Sequence, residues 1–230
     1  GSADMKTVVA TYLVYLKDAL RAGPPYPPVN LLLVGNEENG ETDPMGTPYV
    51  LRRLAREKVY GADGGEQDYA PGLLIAGERT GEKGNELWGE ICTQNRGVMR
   101  FELAAYGTRG HSGVGAGAKK GADLTERLLS ARSGLIGIMS KYLTLSSPDG
   151  WQSQARFPYI QVGTQGVYNI TADHGVLGVE VRPIPQDNLA ALQQELLEFC
   201  QSQELTLSMP VNEPGIICDG DNPYLVSLLQ

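Results

Sequence analysis

The sequence predicts an α/β chain in two parts: a mostly parallel sheet with covering helices, followed by a smaller α+β module. Three patterns support this. Leu31–Val34 and Leu73–Ala76 are continuous apolar runs, as presented by strands buried on both faces. Residues 97–106 instead alternate, with Met99, Phe101, Leu103 and Ala105 on one side and Arg100, Glu102 and Tyr106 on the other, which predicts a strand with one wet face. Two later segments repeat leucine at helical spacing, and these are the helices that would cover that strand's dry face.

Taken in order, the first element is a helix beginning after Asp4, whose apolar positions Val8, Val9, Tyr12, Leu13, Leu16 and Leu20 form one stripe. The run at 31–34 follows, then an acidic Gly-rich loop, a helix over Tyr49–Arg56, a loop at 61–69, and the second run at 73–76. After the alternating strand, a Gly-rich stretch from Gly107 to Gly121 leads to Asp123, a helix cap before Leu124, Leu128, Leu129, Leu135 and Ile138. Strands are expected at Tyr159–Val162 and Val176–Val181. A helix capped near Asp187 carries Leu189, Leu192, Leu196 and Phe199, a last strand spans Leu205–Met209, and a short helix spans Tyr224–Leu229.

Composition narrows the function. A formal charge of −8 with no sustained basic run argues against nucleic acid and against an anionic membrane surface. The longest apolar runs are strand-sized, so no membrane span is expected. Cys92, Cys200 and Cys218 are odd in number and far apart, which fits thiols in a reducing compartment, the cytoplasm, better than a disulfide framework.

Each of the two apolar runs ends in glutamate: Gly35-Asn36-Glu37-Glu38 after the first and Gly77-Glu78 after the second. Ligand sites in open α/β sheets form at the carboxyl ends of strands, so these carboxylates would converge. Converging carboxylates repel unless a cation sits between them, and Asp4, just before the first helix, is a third acid for the same crevice. Taken alone, Glu37, Glu38, Glu41 and Asp43 read better as a solvated acidic turn, or a loose calcium loop, than as a catalytic metal site.

Asp4-Met5-Lys6, Glu37-Glu38-Asn39-Gly40, Gly77-Glu78-Arg79-Thr80, Gly107-Thr108-Arg109-Gly110-His111-Ser112, Asn169 and Val181-Arg182-Pro183 occur in that order. Together they resemble the co-catalytic zinc amidohydrolases and metallopeptidases typified by acetylornithine deacetylase, succinyl-diaminopimelate desuccinylase and glutamate carboxypeptidase. The resemblance implies a partial catalytic domain over residues 1–96 and 209–230, and an inserted ferredoxin-like lid over 97–208 that also makes a homodimer contact.

It further implies two zinc ions, with cobalt or manganese as substitutes. Asp4 would bridge them, Glu38 and Glu78 would each hold one, and Glu37 would be the general base. His111 would be the lid histidine that reaches a partner subunit's active site, and Asn169 and Arg182 would bind substrate.

The expected reaction is amide hydrolysis in an N-acyl amino acid. The alternatives are a dipeptidase or carboxypeptidase with the same site, or a binding and dimerisation module without catalysis. The chain departs from the pattern at Thr7, where glycine is usual. It has only His111 and His174, neither at the two histidine ligand positions, so those ligands are expected beyond both ends and the segment alone is expected to be nearly inactive.

Apart from the resemblance, His111 also reads as an exposed loop histidine, His174 and Asn169 as turn residues, and Arg182 as half of a surface ion pair with Glu180.

Overall fold

The computed structural model describes residues 5–27, 29–34, 46–56, 59–60, 66–67, 73–77, 91–111, 123–148 and 150–229. The chain divides into two units, Gly1–Ile91 and Cys92–Gln230.

In the first unit, α1 spans Thr7–Ala22 and ends at Gly23, whose φ of 82° suits a residue without a Cβ and precedes two prolines. Its stripe is only half-covered. Val8, Val9, Tyr12 and Leu16 are partly buried, Leu13 and Leu20 are exposed, and no residue of the helix is fully buried. Helix α2 spans Thr47–Arg56, and the two-residue strands β1 (Val59–Tyr60) and β2 (Glu66–Gln67) pair antiparallel.

The expected parallel sheet is not found among the described residues, where every strand pairing is antiparallel. Leu31–Val34 and Leu73–Ala76 are not strands, and Leu33, Leu74 and Ile75 are 53, 73 and 58% exposed. A four-residue apolar run has few main-chain groups to pair and no alternation to fix a register, so its composition alone does not make it a strand. The second run does pass close to α1: a Cβ added at Gly77 would lie 2.3 Å from Val8 Cγ1 and 2.9 Å from the Tyr12 hydroxyl.

In the second unit, β3 (Gln94–Asn95) leads into β4 (Val98–Tyr106) and then β5 (Gly110–His111). Helix α3 (Leu124–Tyr142) is followed by β6 (Gln154–Val162), β7 (Ile170–Thr171) and β8 (His174–Arg182). Helix α4 (Leu189–Ser202), β9 (Thr206–Glu213), β10 (Ile216–Ile217) and α5 (Pro223–Leu228) complete it. The main sheet runs β6-β8-β4-β9, all antiparallel, and the chain order β4-α3-β6-β8-α4-β9 is the ferredoxin-like βαββαβ arrangement.

Alternation explains the core. Met99, Phe101, Leu103 and Ala105 of β4 are at most 1% exposed, and they meet Leu177, Val179 and Val181 of β8 beneath Leu128, Leu135, Leu192 and Leu196 of the two helices. Asp123 starts α3 by accepting from the Thr125 and Glu126 amides at 2.9 and 3.3 Å. Leu129 faces outward at 49% exposure, since it lies one position past the buried Leu128 and off the stripe.

The cap of α4 is Asn188, not Asp187, and its side chain accepts from the Ala191 amide at 3.1 Å. Asp187 is drawn away by tertiary contacts. Its carboxylate accepts from the Thr144 and Ile184 amides at 2.8 and 3.0 Å and from the Ser153 hydroxyl. On the wet face, Gly178 lies opposite both Tyr159 and Glu102. A Cβ there would meet the Tyr159 ring at 2.4 Å, and its absence lets Tyr159 cross β8 and donate to Glu102.

Candidate functional site

The sheet continues past its last full pairs into a small ribbon. Tyr106 pairs with His174, the Gly107 amide donates to the Asp173 carbonyl at 2.9 Å, and then Gly110 pairs with Thr171 and His111 with Ile170. Between the two ladders the register shifts by one residue, with residues 107–109 on one side and 172–173 on the other.

His111 and Asn169, 58 residues apart in sequence, meet at the end of the ribbon, where Asn169 Nδ2 is 2.9 Å from His111 Nε2. The distance is that of a hydrogen bond between the side-chain amide and the ring nitrogen. Both side chains are exposed, so they are reachable from outside the module.

One wall of the ribbon borders a cavity of about 340 Å³. Arg109, Gln161, Thr164, Thr171, Asp173 and His174 supply its polar lining. The His174 ring sits 5.0 Å from that of Tyr106, centroid to centroid, and tilted 38° from it. The volume is at the low end of small-molecule sites, about 300–1,000 Å³.

Arg182 is elsewhere. It ends β8, and His174 begins it, so eight steps of about 3.3 Å separate them by roughly 26 Å. Its Nε donates to Glu180 at 3.2 Å, and Arg100 Nε donates to the other oxygen of the same carboxylate at 2.9 Å. Burial pushes the Glu180 carboxyl up, but the hydrogen bonds from Arg100 and Arg182 outweigh it and hold the group below its ordinary value of 4.5. The structure therefore brings together His111 and Asn169 and places Arg182 in a separate ion-paired cluster.

Asp4, Glu37, Glu38 and Glu78 lie outside the described residues. Among the described residues, no three His, Cys, Asp or Glu side chains gather as metal ligands would. No described helix is long and apolar enough to cross a membrane. Sequence reasoning passed over Arg109 and the cavity. The signal was present in the Gly107–His111 segment, but two-residue strands leave no periodicity to read.

No protein-family model matches the chain, and no curated protein sequence matches it. Among solved structures it is similar to an amidase of the hydantoinase/carbamoylase family from Burkholderia phymatum at 16% identity and TM-score 0.45, over 59% of this chain and 33% of that one. A family counterpart from Burkholderia multivorans aligns at 16% identity and TM-score 0.40, over 55% of this chain and 30% of the other. AtUAH in complex with glyoxylate aligns at 11% identity and TM-score 0.40, over 55% and 30%. The chain thus spans about a third of the length of the solved structures it resembles.

Proposed function

We propose that this chain is part of a metal-dependent amidohydrolase that cleaves an amide beside a free carboxylate, with an N-acyl amino acid as the substrate class. The observation that supports the reading is the His111–Asn169 contact at 2.9 Å, which joins two of the sequence motifs at the end of the ribbon.

In this reading Asp4, Glu38 and Glu78 would hold two zinc ions, which would supply Lewis acidity to a water molecule. Glu37 takes the proton from the attacking water and passes it to the departing amine. Asn169 orients the His111 ring, and His111 serves as the hydrogen-bond donor to the oxygen on which charge develops. The family resemblance implies that His111 acts in a partner subunit's active site, so pairing of the module with a second copy is part of the proposal. A cytoplasmic setting accompanies it.

The test uses the intact gene product, assayed on N-acetyl and N-succinyl amino acids and on dipeptides. Chelation should abolish hydrolysis and zinc should restore it. His111→Ala should lower kcat by about 10²–10³-fold, the typical loss for one oxyanion donor. A protein that hydrolyses none of these, and binds no zinc, would instead be the non-catalytic module.

A further inference from the structure

We infer that Cys92 and Cys218 are a dithiol modification site, closed by a small-molecule disulfide such as oxidised glutathione into a reversible clasp across the ribbon of β3 and β10. The inference does not depend on the amidohydrolase reading.

Register brings the two thiols to one end of that ribbon. Ile216 pairs with Asn95 and Ile217 with Gln94, and the Cys218 amide extends the ladder by donating to the Thr93 carbonyl at 2.7 Å. Cys92, the first residue of the second unit, comes next along the chain. One cross-strand spacing and one step along the strand place the two Cα atoms about 6 Å apart, within the roughly 4.4–6.8 Å that disulfides span. The other end of the ribbon pins this register. A Cβ at Gly97 would lie 2.2 Å from the Glu213 carbonyl oxygen, and the Gly97 amide donates to the Pro183 carbonyl at 2.8 Å.

Adjacent strand positions face opposite ways, so an ideal ladder would keep the two side chains apart. Cys92 lies outside β3, and the same diagonal closes at the other ribbon: His111 pairs with Ile170, yet its side chain meets that of Asn169, one residue beyond. A sulfur bridge on such a diagonal is strained, and strain makes it easy to reduce. That suits a switch in a reducing compartment better than a permanent staple. Access also singles out this pair. Cys92 is exposed and Cys218 half-buried, whereas Cys200 is 2% exposed and burial pushes its thiol up to about 11.

Closure takes two exchanges. The Cys92 thiolate attacks one sulfur of oxidised glutathione, which breaks that S–S bond and releases one glutathione thiolate. The Cys218 thiolate then attacks the Cys92 sulfur and releases the second. The two glutathiones leave reduced, carrying the two electrons and the two protons that the cysteines gave up.

The experiment incubates the full chain at fixed ratios of oxidised to reduced glutathione, quenches by alkylation and reads the digest by mass spectrometry. Peptides joined through Cys92 and Cys218 should appear, and dithiothreitol should separate them. The link should form at a ratio at least about tenfold lower than in the urea-unfolded chain, which has to close the same long loop unaided. Cys218→Ser should abolish the link and leave Cys92 carrying one glutathione. The inference is overturned if the two cysteines take up glutathione without joining, if the links run to Cys200 instead, or if the unfolded chain links as readily as the folded one.

Discussion

Helices α1 and α3 carry apolar stripes of the same kind, yet α3 buries six side chains and α1 buries none. The difference is what lies beneath. Under α3 the alternating strands β4 and β8 present Met99, Phe101, Leu103, Leu177 and Val179 at a pitch the helix can match, and α4 closes the same face. Against α1 the described chain sets Gly77. A stripe is thus only an offer of surface. It becomes a core when a sheet returns apolar positions to it, because the transfer free energy scales with the area that leaves water.

The sharpest way to break this contrast is a matched pair of truncations read by chemical denaturation. Leu135→Ala, in the middle of the α3 stripe and fully buried, should cost about 2–5 kcal/mol. Leu13→Ala, at 49% exposure on α1, should stay within about 0.5 kcal/mol. Equal losses would mean that the α1 stripe is buried after all.

A smaller effect sharpens the comparison at the helix starts. Asp123 caps α3 with two side-chain hydrogen bonds, whereas Lys6 stands at the cap position of α1 and makes none. Asp123→Ala should therefore cost about 0.5–2 kcal/mol, and Lys6→Ala should register nothing comparable.

The smallest expected effect tests the wet face of the same sheet. Glu180 is held below its ordinary 4.5 in the folded state, so its contribution is complete above that value and is lost as the pH falls through the lower, folded value. Glu180→Gln should cost at most about 1 kcal/mol at neutral pH, less in high salt, and the difference from the unaltered chain should vanish in acid.

How far the sequence could be read follows from the same physics. The β4 alternation and the Asp123 cap were legible because each is a local pattern with a local cause. The α4 cap was misplaced by one residue because Asp187 and Asn188 are both good caps, and the choice fell to Thr144, Ser153 and Ile184, which claim the Asp187 carboxylate. Leu31–Val34 and Leu73–Ala76 were misread as strands because an unbroken apolar run has no period.

At the candidate site, motif order singled out His111 and Asn169, but nothing in either segment says that they touch. Their contact depends on the Gly110–Thr171 and His111–Ile170 pairings, which close a loop of nearly sixty residues. The register shift between the two ladders leaves Arg109 unpaired in the main chain between them. Arg182 shows the converse: its neighbour on the strand face, Glu180, was visible in the sequence, whereas Arg100 joins them only across the β4–β8 register.

The sequence by itself determined which residues of the second unit face inward and where α3 begins. Tertiary structure alone decided which strands pair, which of two adjacent acids or amides caps a helix, and which arginine faces the cavity. Alternation and capping act between residues a few positions apart. Pairing and register are set by the whole sheet, where moving one residue past a partner exchanges its dry and wet faces.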